Sequence, residues 1–135
     1  MTVVDSAYTA YQEEAFSDIN PGAFDQGVFF SDVPAGKRLV IEHVSVRAEL
    51  PLGQTARASI VVSLEGRRVS HYLVMVSQGT VIGSPTNRAA FITSQPIRLY
   101  ADHGQGAWGV NVERDSSVEG AIAYASISGH FVDLP

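Results

Sequence analysis

The ten residues from Thr55 to Leu64 constrain this chain more than any others. Ala56, Ala58, Ile60, Val62 and Leu64 alternate with Thr55, Arg57, Ser59 and Ser63. A period of two sends the sets to opposite faces of a half-buried strand, and no helix can use the pattern. Glu65-Gly66 follows, with glycine supplying the positive φ that a two-residue hairpin needs. Arg67 to Ser77 reads as the returning partner strand, with Val69, Leu73 and Met75 on one parity.

The same period recurs along the chain. Pro34-Ala35-Gly36-Lys37 is a turn that opens a long strand from Lys37 to Leu50. Within it, Leu39 and Ile41 have one parity and Val40, Val44, Val46 and Ala48 the other. Such a change of phase marks a β-bulge or a strand passing between sheets. Glu42 has the apolar parity, so either the bulge turns it outward or Arg47 or another basic residue satisfies it. Further strands are expected at Ala90–Thr93, Gln95–Ala101, Ala107–Arg114 and Glu119–Val132, and a short one at Val28-Phe29-Phe30. Ala7 to Phe16 fits a strand or a short helix, because its alanines and glutamates favour one and its tyrosines the other. Val81 and Ile82 are unusual for a solvated connection. They point to an edge strand or to a contact with another chain within the segment Ser77–Arg88. No segment has a sustained period of 3.6. Many short strands with turns at roughly ten-residue spacing indicate an all-β fold. The expected architecture is an antiparallel two-sheet β-sandwich, with jelly-roll connections as one arrangement, forming a single domain over residues 1–135.

Composition narrows the function classes. No cysteine is present, which removes disulfides, thiolate metal sites and a cysteine nucleophile. A net charge of −5 gives no general attraction to nucleic acid or anionic membranes, so neither is expected as a partner. Met1–Ser6 lacks a basic n-region. No apolar run is long enough to cross a bilayer as a helix. A cytoplasmic location is the default expectation. Charged residues make up 17% of the chain, a lower share than soluble domains usually carry. The missing charge is concentrated in strands apolar on both parities. Ile122 and Tyr124 lie opposite Ala121, Ala123 and Ala125, and a two-layer sandwich covers only one of those faces.

Several constellations carry chemistry. The polar loop Asp102-His103-Gly104-Gln105-Gly106 leads into Trp108, the only tryptophan, and Asn111, Arg114 and Asp115 follow. An aromatic face flanked by amides and carboxylates suits a sugar, whose C–H face stacks while its hydroxyls are fixed. Asp102, His103, Gln105, Trp108, Asn111 and Arg114 are therefore the candidate ligand-binding residues of a small lectin-like, carbohydrate-binding module. Against this, Trp108 shares parity with Val110 and Val112, the pattern of a core residue. His43, His71, His103 and His130 lack a metal-binding helix spacing, leaving a cupin-like metal enzyme as a distant alternative. There is no G-x-S-x-G elbow and no phosphate-binding glycine loop, and no cofactor is expected. The closing segment Ser126-Ile127-Ser128-Gly129-His130-Phe131-Val132 resembles the last strand of the trimeric jelly-roll modules of the complement and tumour-necrosis-factor type. Over that segment the resemblance implies a jelly roll and an oligomer. The leading expectation is a non-catalytic interaction and assembly module acting as a homo-oligomer.

Overall fold

The structure, a computed structural model, describes residues 9–83 and 86–135. Met1–Ser6 and the start of the Ala7–Phe16 segment lie outside the described residues. Nine strands follow in order among the described residues: β1 (Thr9–Ile19), β2 (Asp25–Phe29), β3 (Lys37–Pro51), β4 (Ala56–Leu64), β5 (Arg67–Leu73), β6 (Val76–Val81), β7 (Arg88–Asp102), β8 (Gly109–Arg114) and β9 (Ala121–Asp133). They form a five-stranded sheet in the order β1-β9-β3-β7-β6 and a four-stranded sheet in the order β2-β8-β4-β5. Every pairing is antiparallel.

The pairs are nested. β4 joins β5, β3 joins β7, β2 joins β8 and β1 joins β9. Eight strands folded over as one long hairpin and rolled into two sheets make a jelly roll. β6 is an addition on the outside of β7. The expected antiparallel sandwich is thus present, with the jelly-roll order. The core lies between the sheets, where the alternating positions meet. Ile41, Val44 and Leu50 from the larger sheet face Ile60, Val110 and Val112 from the smaller.

The hairpin forms as expected. Glu65 has φ 50 and Gly66 φ 80 degrees, both positive as a type I′ turn requires. The return strand is shorter than the sequence suggests. β5 ends at Leu73, and the chain crosses through Val74 and Met75 to the other sheet, where Ser77 belongs to β6. Val81 closes that edge strand, while Ile82 beyond it is exposed. The two short strands expected over Ala90–Ala101 are one, β7, and the N-terminal segment is strand from Thr9 onward.

The change of phase in β3 is a bulge. Its register shifts between Ile41 and His43 against both neighbours, and Glu42 is turned outward. Pro96 lies at the matching irregularity in β7, where a residue that cannot donate to a ladder is tolerated. Glu42 is satisfied by His130 rather than Arg47, with Oε1 2.7 Å from the imidazole Nδ1. Arg47 pairs with Glu49 instead. The bulge presses the Val40 carbonyl so close to Gly129 that a Cβ there would stand 1.9 Å from the oxygen. Only glycine fits at that point of β9.

Candidate functional site

The two ends of the sandwich are built differently, and five of the six expected ligand residues are divided between them, Asn111 lying elsewhere. At one end the loops after β2, β4 and β7 meet the end of β9. Asp102 is buried there, receiving Arg38 Nε at 2.7 Å and Nη2 at 3.2 Å, together with the Glu65 backbone N–H at 3.3 Å. The Arg38 guanidinium holds the Asp102 carboxyl below its ordinary pKa against the opposing effect of burial. Gln105 accepts the Gly66 N–H, and the His103 imidazole Nδ1 lies 2.6 Å from the Val33 carbonyl oxygen. These three side chains tie loops together.

Trp108 is a core residue. It is 3% exposed, its indole N–H donates to the Ser31 carbonyl at 3.0 Å, and its ring packs on Phe30 at 5.2 Å between centroids. The ring has no open face on which a sugar could stack. The parity shared with Val110 and Val112 already pointed inward.

Arg114 lies at the far end of β8, the whole length of the strand away from Gly109. Its buried guanidinium donates to the carbonyls of Ala23 (2.9 Å), Asn20 (3.2 Å) and Glu119 (2.7 Å) and to Gln54 Oε1 (3.2 Å). Gln54 in turn donates to the Val118 carbonyl at 2.8 Å. Burial, with a smaller contribution from the charge on Arg88, lowers the Arg114 pKa; the group is nonetheless a permanent cation. It rivets three connections, β1–β2, β3–β4 and β8–β9, and holds Phe24, Leu52 and Val118 exposed on them.

The histidines do not converge. His43 Nε2 is 3.3 Å from the Ser94 hydroxyl, His130 pairs with Glu42, His71 is exposed on β5 and His103 is at the loop end. Among the described residues, no three His, Asp or Glu side chains are grouped to hold a metal ion. Near His103, Glu13 gathers the Tyr11 hydroxyl and the Ser31 N–H and hydroxyl. Burial and the Glu13 carboxylate push the Tyr11 phenol up to about 12.

The outer faces of the two sheets are the remaining candidates. On the larger sheet one row crosses all five strands in register: Phe16, Tyr124, Arg47, Ile92, Val76. Phe16 is 68% exposed, and its ring stands 6.2 Å from that of Tyr124. The adjacent row is Glu14, Ser126, Ser45, Ser94, where the three serines make a furrow of small side chains beside the ridge, closed at the β1 edge by Glu14. On the smaller sheet a shallow basin of about 440 Å³ is bounded by Phe29 on β2 and Tyr72 on β5, with Asn111 and Ser59 in its floor. Of the expected ligand residues, Asn111 lines this basin. The exposed Phe29 was missed, although Gly27 and Phe29, two apart on a strand, share a face.

Neither a protein-family model nor a curated protein matches this chain. Among solved structures, a chain of the "Cyanophage Pam1 capsid asymmetric unit" is similar with a TM-score of 0.44 and 14% identity. The match covers 100% of this chain and 91% of that one. A likeness of that degree carries no functional inference, since one fold hosts many activities.

Proposed function

We propose that this protein is a non-catalytic assembly module that works as a homo-oligomer through the outer face of its five-stranded sheet. The observation that carries the reading is the ridge beside the furrow. A two-fold axis lying in the plane of contact, parallel to the rows and between them, sets each ridge into the partner's furrow. Phe16 of one copy then meets the Glu14–Ser126 region of the other, and Tyr124, Arg47 and Ile92 fall over serines. Such a surface is self-complementary, as an isologous contact must be.

Size supports the same reading. Five strands at ~4.8 Å and about ten residues at ~3.3 Å give a face of roughly 19 by 33 Å, or about 600 Å² in projection. A standard interface takes ~800 Å² from each partner. The row also explains the apolar residues on the outward parity of β7 and β9, which the sandwich core leaves uncovered.

Mass photometry and sedimentation at micromolar concentration test the proposal. The expected species is a dimer or a higher multiple of the 14.5 kDa chain. Phe16→Glu should weaken association at least a hundredfold, while Phe24→Ser, on the riveted loops, should leave it unchanged. A monomer at that concentration, or a Phe16→Glu protein that still assembles, refutes it.

A further inference from the structure

The second outer face, on the four-stranded sheet, presents a different surface. Three in-register rows cross it: Phe29-Gly109-Val61-Ser70, Gly27-Asn111-Ser59-Tyr72 and Asp25-Glu113-Arg57. Two positions of the floor carry no side chain. Gly109 is there by necessity, because a Cβ would stand 2.0 Å from the Val28 carbonyl oxygen.

Gly27 has another role. A Cβ built on it would lie 2.5 Å from Phe29 Cζ and 2.9 and 3.0 Å from the two Cε atoms. A point in the ring plane, beyond Cζ, would be clearly farther from both Cε atoms than that. The distances instead place it above the ring face. The phenyl therefore lies flat over Gly27, leaning from its own row into the next one. Its other face is open, and the side chain is 57% exposed.

The middle row thus reads phenyl, amide, hydroxyl, phenol. Tyr72 at the far edge is 81% exposed. The two aromatic rims stand about three strand spacings apart, roughly 14 Å. The hydroxyls of Ser59, Ser70 and Tyr72 donate to no protein group among the described residues, so they are free to bind a ligand. Asn111 has one amide contact, to Glu113 at 3.5 Å. The trough carries no cluster of cations for a phosphate or sulfate. Asp25 and Glu113 stand at one end, the latter paired with Arg57, and Arg68 at the other reaches the Ala107 carbonyl.

The geometry points to a binding site for a neutral oligosaccharide in this basin. A flat aromatic ring beside hydroxyl and amide donors matches a pyranose, which has an apolar C–H face and a rim of hydroxyls. The cavity of about 440 Å³ is within the size range of ligand sites. The distance between the rims suits a chain rather than one sugar. A protein anchor would need a deeper apolar pocket, and this floor is amide, hydroxyl and backbone. The site is on the opposite sheet from the proposed assembly face, so either can hold without the other.

The test is an amide-resolved NMR titration of the full-length ¹⁵N-labelled protein with cellulose-, xylan-, starch- and chitin-derived pentasaccharides. At least one should give saturable shifts confined to residues 27–29, 59–61, 70–72 and 109–111. Tyr72→Ala, at an exposed position, should keep the spectrum of a folded protein and weaken that binding about tenfold, the scale of one lost aromatic stack. Gly27→Ala should weaken it comparably by lifting the phenyl off the floor while leaving the ring in place. No saturable shift with any of the four, shifts that map to the loop ends, or binding indifferent to Tyr72→Ala would each overturn the assignment.

Discussion

Replacing Arg114 by alanine tests whether the loops at one end of the sandwich are held by a single side chain. In the native protein the guanidinium satisfies the backbone carbonyls of Ala23 and Glu119 and the Gln54 side-chain oxygen at 2.7 to 3.2 Å, while the Asn20 carbonyl it also reaches keeps the Ala23 N–H. The truncation leaves the Ala23 and Glu119 carbonyls and the Gln54 oxygen without that donor. An unsatisfied buried acceptor costs ~1–3 kcal/mol, and water entering from the loop end limits each loss to about 1 kcal/mol. Lost packing of the aliphatic stem adds roughly 1 kcal/mol. The sum, about 4 kcal/mol, is a large part of the ~5–15 kcal/mol that holds a typical domain. Urea unfolding followed by Trp108 fluorescence suits the measurement, because the one tryptophan is buried and distant from the substitution. With a urea dependence of ~2 kcal/mol per molar, the midpoint should fall by about 2 M at a fixed protein concentration. Arg114→Lys, with three donors on a point charge, should recover about half of the loss. Arg57→Ala, which removes an exposed pair with Glu113, should cost no more than ~0.5 kcal/mol. A loss below about 1 kcal/mol for Arg114→Ala, less than one unsatisfied carbonyl, would show that the loops hold themselves. A lysine variant as stable as the parent would show that the forked guanidinium is not required.

Two further outcomes follow from the same geometry. Asp102 is held below its ordinary pKa by Arg38, so the stability it contributes is present above the unfolded value of ~3.9 and lost as pH falls through the lower folded value. Thermal melts of the parent should therefore drop more steeply below about pH 4 than those of Asp102→Asn, and parallel curves would contradict the pairing. Gly129→Ala forces a Cβ against the backbone of Val40 and should destabilise by about 2–3 kcal/mol in a thermal or urea melt. An unchanged midpoint would mean that the bulge is not as tight as described.

Local pattern revealed much of the fold and little of the candidate sites. Period-two alternation located the β4–β5 hairpin, and the change of phase between Ile41 and Val44 located the bulge, because both are written within a few residues. The departure of the chain at Val74 was not visible, since the alternation runs on through Met75 while the strand changes sheet. Asn111 and Arg114 are close in sequence, yet one is on an outer face and the other inside a knot of loops. The acceptors of Arg114 come from residues up to 94 positions away, so no local signal marks it as structural. Trp108 shows the reverse case. Its chemistry suggested a ligand, and its parity, the physically stronger signal, placed it in the core. Phe29 and Phe30 are adjacent and alike, and only the strand pleat decides that one packs on Trp108 while the other covers Gly27.

The nested order of the strands has a consequence for when the proposed assembly face is complete. β4 and β5 close the shortest loop, and each enclosing pair must close a longer one, at rising entropic cost. The outermost pair joins Thr9 to Phe131 and is the most expensive contact in the fold. Phe16 takes its place beside Tyr124 only when that pair forms, so the ridge on the larger sheet is complete only once β1 has closed onto β9. For the proposed assembly face, recognition between copies would then be a readout of completed folding: a chain that has not closed β1 onto β9 lacks Phe16 at the edge of that face.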